Sequence, residues 1–378
     1  LSKLVKLWDW NKFLNDLEKP EHVVLGLMSG TSADGLDIAN VIFKYEYGEL
    51  IFQIEKAVTI PYDEEVQEKI FNSYDKKLSN VEHITLINFE LAKLHAKMIK
   101  ELNLDFDFVA YHGQTIYHLP NKGATFQIGE ADVVAVELGK PVIYDFRKKD
   151  MALSGQGAPI SAYFDSLFLI KDSNTAVLNI GGISNVTATD KEGNLIAFDT
   201  GPGNCLIDLV CQKYFNVRYD ANGELSSKGN LNGTLLRILL EQDRTYAKNR
   251  PPKTTGREIY NEDFLNQALS SVGKVKPLDL LRTLTKFTAE SIAKNLRLHT
   301  PHVKRLVVVG GGAYNKTILK DLNDLLFEVI IPEETLINFR EAVSVAFLGE
   351  LFLRGMAHHT TVTGAKKTSV LGKLVLPV

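Results

Sequence analysis

Cysteine, tryptophan and methionine are scarce here: 378 residues include two, two and four of them. Cys205 and Cys211 lie outside any C-x-x-C or Cys/His cluster. Neither a disulfide framework nor a structural zinc site is supported, and both read as buried apolar fillers. An excess of one charge is also missing: 43 Lys and Arg stand against 46 Asp and Glu, a net charge of -3. That excludes the broad basic footprint of a nucleic-acid binder. No segment approaches the roughly 20 apolar residues of a bilayer span. Residues 1–20 mix Leu4, Leu7, Trp8, Leu14 and Leu17 with Lys, Asp and Asn, which reads as an amphipathic helix rather than an export signal. A cytoplasmic protein with neither nucleic-acid nor membrane partners is expected. No Walker sequence and no G-x-S-x-G elbow occurs, so neither of those catalytic frameworks has support.

Glycine, by contrast, is concentrated. Three stretches combine it with acids and hydroxyls: Gly26-Leu-Met-Ser-Gly-Thr-Ser-Ala-Asp-Gly-Leu-Asp37, Phe198-Asp-Thr-Gly-Pro-Gly-Asn204 and Val307-Val-Val-Gly-Gly-Gly-Ala-Tyr-Asn315. Each follows an apolar or β-branched run, the place where a strand ends and bare backbone N–H groups face a phosphate. One such loop is weak, since glycine clusters usually mark ordinary turns; together they predict a nucleotide site. In the first, Gly30 and Gly35 permit unusual backbone angles beside Thr31, Ser32, Asp34 and Asp37, groups suited to phosphate and metal. In the second, Asp199, Gly201, Gly203 and Asn204 precede a helix whose N-terminal dipole favours another phosphate. In the third, Gly310, Gly311 and Gly312, with Asn315 behind them, offer flat backbone to a base or ribose.

Periodicity predicts strands over residues 23–27, 37–43 and 49–58, a helix over 80–102, and further strands over 106–111 and 141–144. The second half repeats the pattern, with strands over 175–180, 184–187, 195–198 and 306–309 and helices after Asn204, over 277–298 and over 342–356. Mixed strands and helices in two similar halves predict an α/β fold of two lobes with a cleft between them. Charge stops abruptly after Asp150, where Ser154-Gly-Gln-Gly157 begins. A carboxylate that must reach water or a substrate hydroxyl suits that junction. His112, Gln114, Gln127, Gln156 and Gly157 supply neutral groups and close backbone of the kind that read sugar hydroxyls. Arg340-Glu341 opens the predicted helix over 342–356.

The motifs Met28-Ser-Gly-Thr-Ser-Ala-Asp-Gly-Leu-Asp37, His112-Gly-Gln-Thr115, Asp145-Phe-Arg147, Gly155-Gln-Gly-Ala-Pro159, Asn179-Ile-Gly-Gly182, Asp199-Thr-Gly-Pro-Gly-Asn204, Lys253-Thr-Thr-Gly-Arg-Glu258, Gly310-Gly-Gly312 and Val362-Thr-Gly-Ala365 resemble those of the anhydro-N-acetylmuramic acid kinases. These belong to the actin, hexokinase and Hsp70-like superfamily. The resemblance runs from about residue 23 to 378. It implies a two-lobed actin-like, ribonuclease H-like fold with a central cleft: residues 1–165 with 340–378 as one lobe, 166–339 as the other. It also implies ATP and Mg²⁺, an anhydrosugar substrate, and a homodimer. The implied reaction opens 1,6-anhydro-N-acetylmuramic acid with water and phosphorylates O6, in cell-wall sugar recycling. Asp150 matches the family base, and Glu341 a second carboxylate near sugar and metal. Two departures stand out: Ser154 replaces a usual glycine, and Ile160-Ser-Ala-Tyr-Phe-Asp165 puts an acid where the levoglucosan kinases are similar. A kinase for that smaller anhydrosugar, and a non-catalytic nucleotide-gated protein on the same fold, are the alternatives.

Overall fold

The computed structural model describes residues 6–357 and 362–378; Leu4 of the N-terminal stripe lies outside them. The described chain divides into two compact units, one running to Tyr163 and resuming at Phe339, the other Phe164–Asn338.

The first unit is built on a sheet of β1 (Glu21–Ser29), β2 (Gly35–Glu46), β3 (Glu49–Pro61), β4 (Phe108–Leu119), β5 (Ala124–Ile128), β6 (Val142–Tyr144) and, from the end of the chain, β12 (Lys373–Val375). The order is β12-β6-β4-β1-β2-β3, with β5 paired to β4. β1, β2 and β3 form the expected antiparallel meander, and β1, β4 and β6 run parallel. The helix Val81–Leu102 covers one face. Asn80 caps it by accepting from the His83 N–H, and Asn103 closes it in a left-handed conformation. Its buried stripe, Ile87, Leu91, His95, Met98 and Ile99, follows the three-and-four spacing of one helix face. Among the described residues the N-terminal segment is helical over Trp10–Leu17, capped by Asp9.

The second unit has β7 (Thr175–Ile180), β8 (Ile183–Thr189), β9 (Leu195–Pro202), β10 (Arg305–Val309) and β11 (Glu328–Ile330) in the order β11-β10-β7-β8-β9. β7, β8 and β9 are an antiparallel meander and β7, β10 and β11 are parallel. Order and polarity therefore repeat those of β6-β4-β1-β2-β3, the architectural echo that the two halves of the sequence predict. Its core is centred on the helix Pro277–His299, where Leu281, Leu284, Phe287 and Ile292 are buried.

Two expectations require correction. β4 continues to Leu119, because pairing with β5 supplies partners beyond Tyr111, so His112 and Gln114 lie within a strand rather than past its end. The final long helix spans Glu334–Leu353. Glu341 thus sits well inside it, and no helix N-terminus acts on its charge; no Pro or Gly between Glu334 and Phe347 breaks the helix earlier. Within the first unit this helix packs tightly on β1. A Cβ at Gly26 would lie 2.1 Å from the Ala342 carbonyl oxygen and 2.8 Å from the Ala346 Cβ. Gly26→Ala is therefore expected to displace the helix and lower stability by about 3 kcal/mol; an unchanged urea midpoint would contradict that contact. Among the described residues no helix is long and apolar enough to cross a membrane.

Candidate functional site

In the first unit the helix Phe146–Ala152 begins directly after β6 and buries Asp150. The carboxylate is 1% exposed, contrary to the expectation of an acid open to water. Its Oδ2 accepts from the Gly157 N–H (2.7 Å) and its Oδ1 from the Thr363 hydroxyl (2.7 Å). Gly155 lies flat against it: a Cβ there would come 2.2 Å from Oδ2. Each carboxylate oxygen retains one acceptor position.

Arg147, one turn earlier, donates through Nη1 to the Gly157 carbonyl (2.7 Å) and through Nε to His112 Nε2 (2.9 Å). That lone pair is thereby used, so the His112 proton sits on Nδ1 and is donated to the Gly113 carbonyl (2.9 Å). Burial, with Arg147 adding, pushes His112 down to about 3, and the ring is a neutral strut for Arg147 rather than a base or a free sugar contact. Burial also lowers Arg147, against the opposing charge of Glu341. Glu341 in turn acts on Asp37. Burial pushes the Asp37 carboxyl up, the Thr59 hydroxyl (2.5 Å) draws it part-way back, and Glu341 and Asp34 push it up further. Asp34, Asp37, Glu341 and Arg147 thus lie near enough to act on one another's charge, and Arg147 and Asp150 both bond to Gly157. Gln127, on β5, has a buried Oε1 with no partner among the described residues, while its Nε2 donates to Thr125 (2.8 Å) and Thr115 (3.3 Å). Gln156 is exposed and its N–H is donated to the Thr363 carbonyl (2.8 Å).

The first glycine loop, 30–34, joins β1 to β2, with Thr31, Ser32 and Asp34 exposed. The unusual backbone angle falls on Ala33 (φ 54°), not on Gly30 or Gly35. Gly35 is needed for the approach of β3, whose Ile60 carbonyl would sit 2.4 Å from a Cβ. A buried chain of hydrogen bonds supports the loop from behind. Tyr62 donates to Ser29 (2.8 Å), and Ser29 to Gln114 Oε1. His95, pushed down to about 3 by burial, is neutral; it donates through Nε2 to Tyr62 (2.7 Å) and accepts at Nδ1 from Tyr111 (2.7 Å). Gln114 ends the chain, donating to the Gly30 carbonyl (3.0 Å) and to Tyr74 (2.8 Å). Fully buried, Gln114 braces the loop instead of reading a sugar.

In the second unit the turn from β9 into the helix Cys205–Phe215 folds over the β7–β8 hairpin. The N–H groups of Gly203, Asn204 and Cys205 donate to the carbonyls of Gly182 (2.9 Å), Gly181 (2.8 Å) and Gly182 (3.0 Å). These amides are consumed within the fold, so they are not the phosphate donors that the motif predicts. Gly201 has a φ of 115° and packs on Ser291. Asp199 accepts from the Thr255 N–H (2.9 Å) and is pushed up to about 6 by burial. Of the third loop, Gly310 and Gly312 serve packing against Asn179 and Ile180, while Gly311 faces open space. Asn315 caps the helix Lys316–Asp324, accepting from Thr317 and Ile318 (both 3.1 Å). Gly311, Asn204 and Asn315 do meet around one cavity of about 480 Å³, lined also by Ile207, Asp208, Tyr219 and Tyr314. Its size and mixed lining suit a base and ribose.

The family model for anhydro-N-acetylmuramic acid kinase matches residues 22–377. The chain belongs to this family. Curated relatives named anhydro-N-acetylmuramic acid kinase are 37% identical in Caldanaerobacter subterraneus subsp. tengcongensis, covering 97% of this chain and 100% of the relative, and 36% in Clostridioides difficile, covering 93% and 97%. A Bacillus cereus relative is 35% identical over 94% of this chain and 99% of its own. Membership of the anhydro-N-acetylmuramic acid kinase family makes the chain an enzyme of the phosphotransferase class.

Four groups of this family member escape a reading of the sequence by residue type. Arg147 is bonded to the Asp150 turn at Gly157 and feels the charge of Glu341, and its only signal is the motif Asp145-Phe-Arg147. Gly181 and Gly182 form the tip of the β7–β8 hairpin, the counterpart of the first loop. Asp208, in the cavity wall, is pushed up to about 6 by burial, against Arg257 and reinforced by Asp220; a lone acid on a helix gives no sign of this. Thr363 reaches Asp150 across 213 residues of sequence. Among the described residues no cluster of three or more His, Cys, Asp or Glu is arranged to hold a metal ion.

Proposed function

We propose that this chain takes ATP and 1,6-anhydro-N-acetylmuramic acid, adds water across the 1,6-anhydro bridge and transfers the γ-phosphoryl group to O6, giving N-acetylmuramic acid 6-phosphate and ADP. The observation that carries the residue assignment is the Asp150 carboxylate, held by two donors with an acceptor position left on each oxygen. Water is a poor nucleophile at an acetal carbon, so its proton must be removed as its oxygen bonds to C1. Asp150 takes that proton, the C1–O6 bond breaks, and O6 attacks the γ-phosphorus as ADP leaves. Glu341 and Arg147 orient the sugar and keep the approach polar. Gln127 and Gln156 supply further contacts to it.

The donor chemistry fits nucleotide and metal. Gly311 has open space beside it, and Thr31, Ser32 and the loop amides can bind phosphate oxygens. The cavity bordered by Asn204, Gly311 and Asn315 takes the adenosine. Mg²⁺ is usually held by one or two carboxylates together with phosphates and water; Asp37 and Glu341 are the pair of this chain that suits it, and the ion would neutralise charge on the transferring phosphoryl group.

ADP release should depend strictly on the anhydrosugar, and in heavy-oxygen water the label should appear on the C1 hydroxyl of the product and not on the phosphate. Equal turnover of levoglucosan would move the assignment to the smaller sugar, and ring opening without ATP would make the chain a glycosidase.

A further inference from the structure

The segment after residue 361 returns to the first unit and is fastened to the Asp150 turn by three bonds. Lys366 N–H donates to the Leu153 carbonyl (2.9 Å), Gln156 N–H to the Thr363 carbonyl (2.8 Å), and the Thr363 hydroxyl to Asp150 Oδ1 (2.7 Å). Thr363 is itself buried, 3% exposed, so no bulk water stands ready to replace its hydroxyl. With the backbone pinned at Gln156 and the β-branched side chain stiff at χ1, that hydroxyl has little freedom. We propose that Thr363 is a positioning residue of the phosphotransfer reaction, its hydroxyl holding the Asp150 carboxylate in one orientation for proton uptake.

The physical basis is that a hydrogen bond to a carboxylate is stronger than one between neutral groups and is directional, so it fixes the orientation of the oxygen that accepts it. The Gly157 amide holds the other oxygen, Oδ2, and the remaining groups nearby do not duplicate the role of the hydroxyl at Oδ1. Arg147 is spent on Gly157 and His112, and Lys149 turns away to the Val370 carbonyl (2.8 Å). His112 and His118 on β4 are both pushed towards neutrality by burial. Lys366 and Lys367 on the returning segment are exposed.

The inference rests on Asp150 being the base, and the test separates the two. In Thr363→Val kcat should fall about tenfold near neutrality, while the KM for ATP should stay put. Thr363→Ser, which restores the hydroxyl, should return kcat to its wild-type value. An unchanged kcat in a folded Thr363→Val protein, a loss that serine does not restore, or an equal rise in the KM for ATP overturns the positioning role. Should the valine variant not fold, Thr363→Ala is read in the same way against Thr363→Ser. If Asp150→Asn itself turns over at the wild-type rate, the base assignment falls instead, whatever position 363 does.

Discussion

Asp150→Asn is expected to lower kcat by about 10³-fold or more, within the range that a positioned general base contributes, while ATP affinity and the folded structure stay close to wild type. The surroundings explain why the loss should be confined to chemistry. Both groups bonded to Asp150 present hydrogens, the Gly157 amide and the Thr363 hydroxyl. An asparagine can give its carbonyl to the amide and its NH₂ to the hydroxyl oxygen, which needs only to rotate. The side chain therefore fits with both contacts kept, and the one property removed is the ability to take a proton. Single-turnover measurements with saturating ATP, beside a melting curve, check this; turnover within about tenfold of wild type in a folded protein would remove Asp150 as the base.

A second large effect concerns acid. His95 and His112 are buried and pushed down to about 3, against about 6.5 in an unfolded chain. Their folded pKa values are depressed, so between those limits the unfolded state binds more protons. The stability they contribute is full above about pH 6.5 and is lost as pH falls towards 3, at about 1.4 kcal/mol per pH unit for each ring. Two acids of the second unit have the opposite sign and offset the lowered His299 there: Asp199 and Asp208 are pushed up to about 6, so their contribution is present at low pH and lost as pH rises through 6. Acidification from 6.5 to 4 should therefore loosen the helix Val81–Leu102 and β4 while leaving the helix Cys205–Phe215 as protected or more so. Amide exchange resolved by segment checks this. His95→Gln should flatten the loss in the first unit, and a uniform change across both units would contradict the assignment.

The parts of this fold that were legible from sequence are those where one face of one element decides the outcome. The helix Val81–Leu102 declares its stripe, and β1, β2 and β3 are separated by visible turns. What was not legible depends on partners outside the element itself. β4 is longer than its apolar run because β5 pairs with it. Gly203, Asn204 and Cys205 look like phosphate donors until Gly181 and Gly182 take their amides. Gln114 and His112 carry the right chemistry for sugar, yet each is already engaged, one with Gly30 and Tyr74, the other with Arg147. Asp150 stands beside small residues that suggest access, and the enclosure comes from Thr363. Local composition identifies the kind of group at a site; it does not reveal which of its bonding positions are already filled.

The bond from Thr363 to Asp150 also has a bearing on biosynthesis. The entire second unit, Phe164–Asn338, lies between these two residues in the chain. A ribosome must therefore finish that unit and emit the segment after it before the carboxylate acquires its second donor. A nascent chain that has released only residues up to the helix Phe146–Ala152 holds the acid without its clamp, and so is not yet a miniature of the finished enzyme.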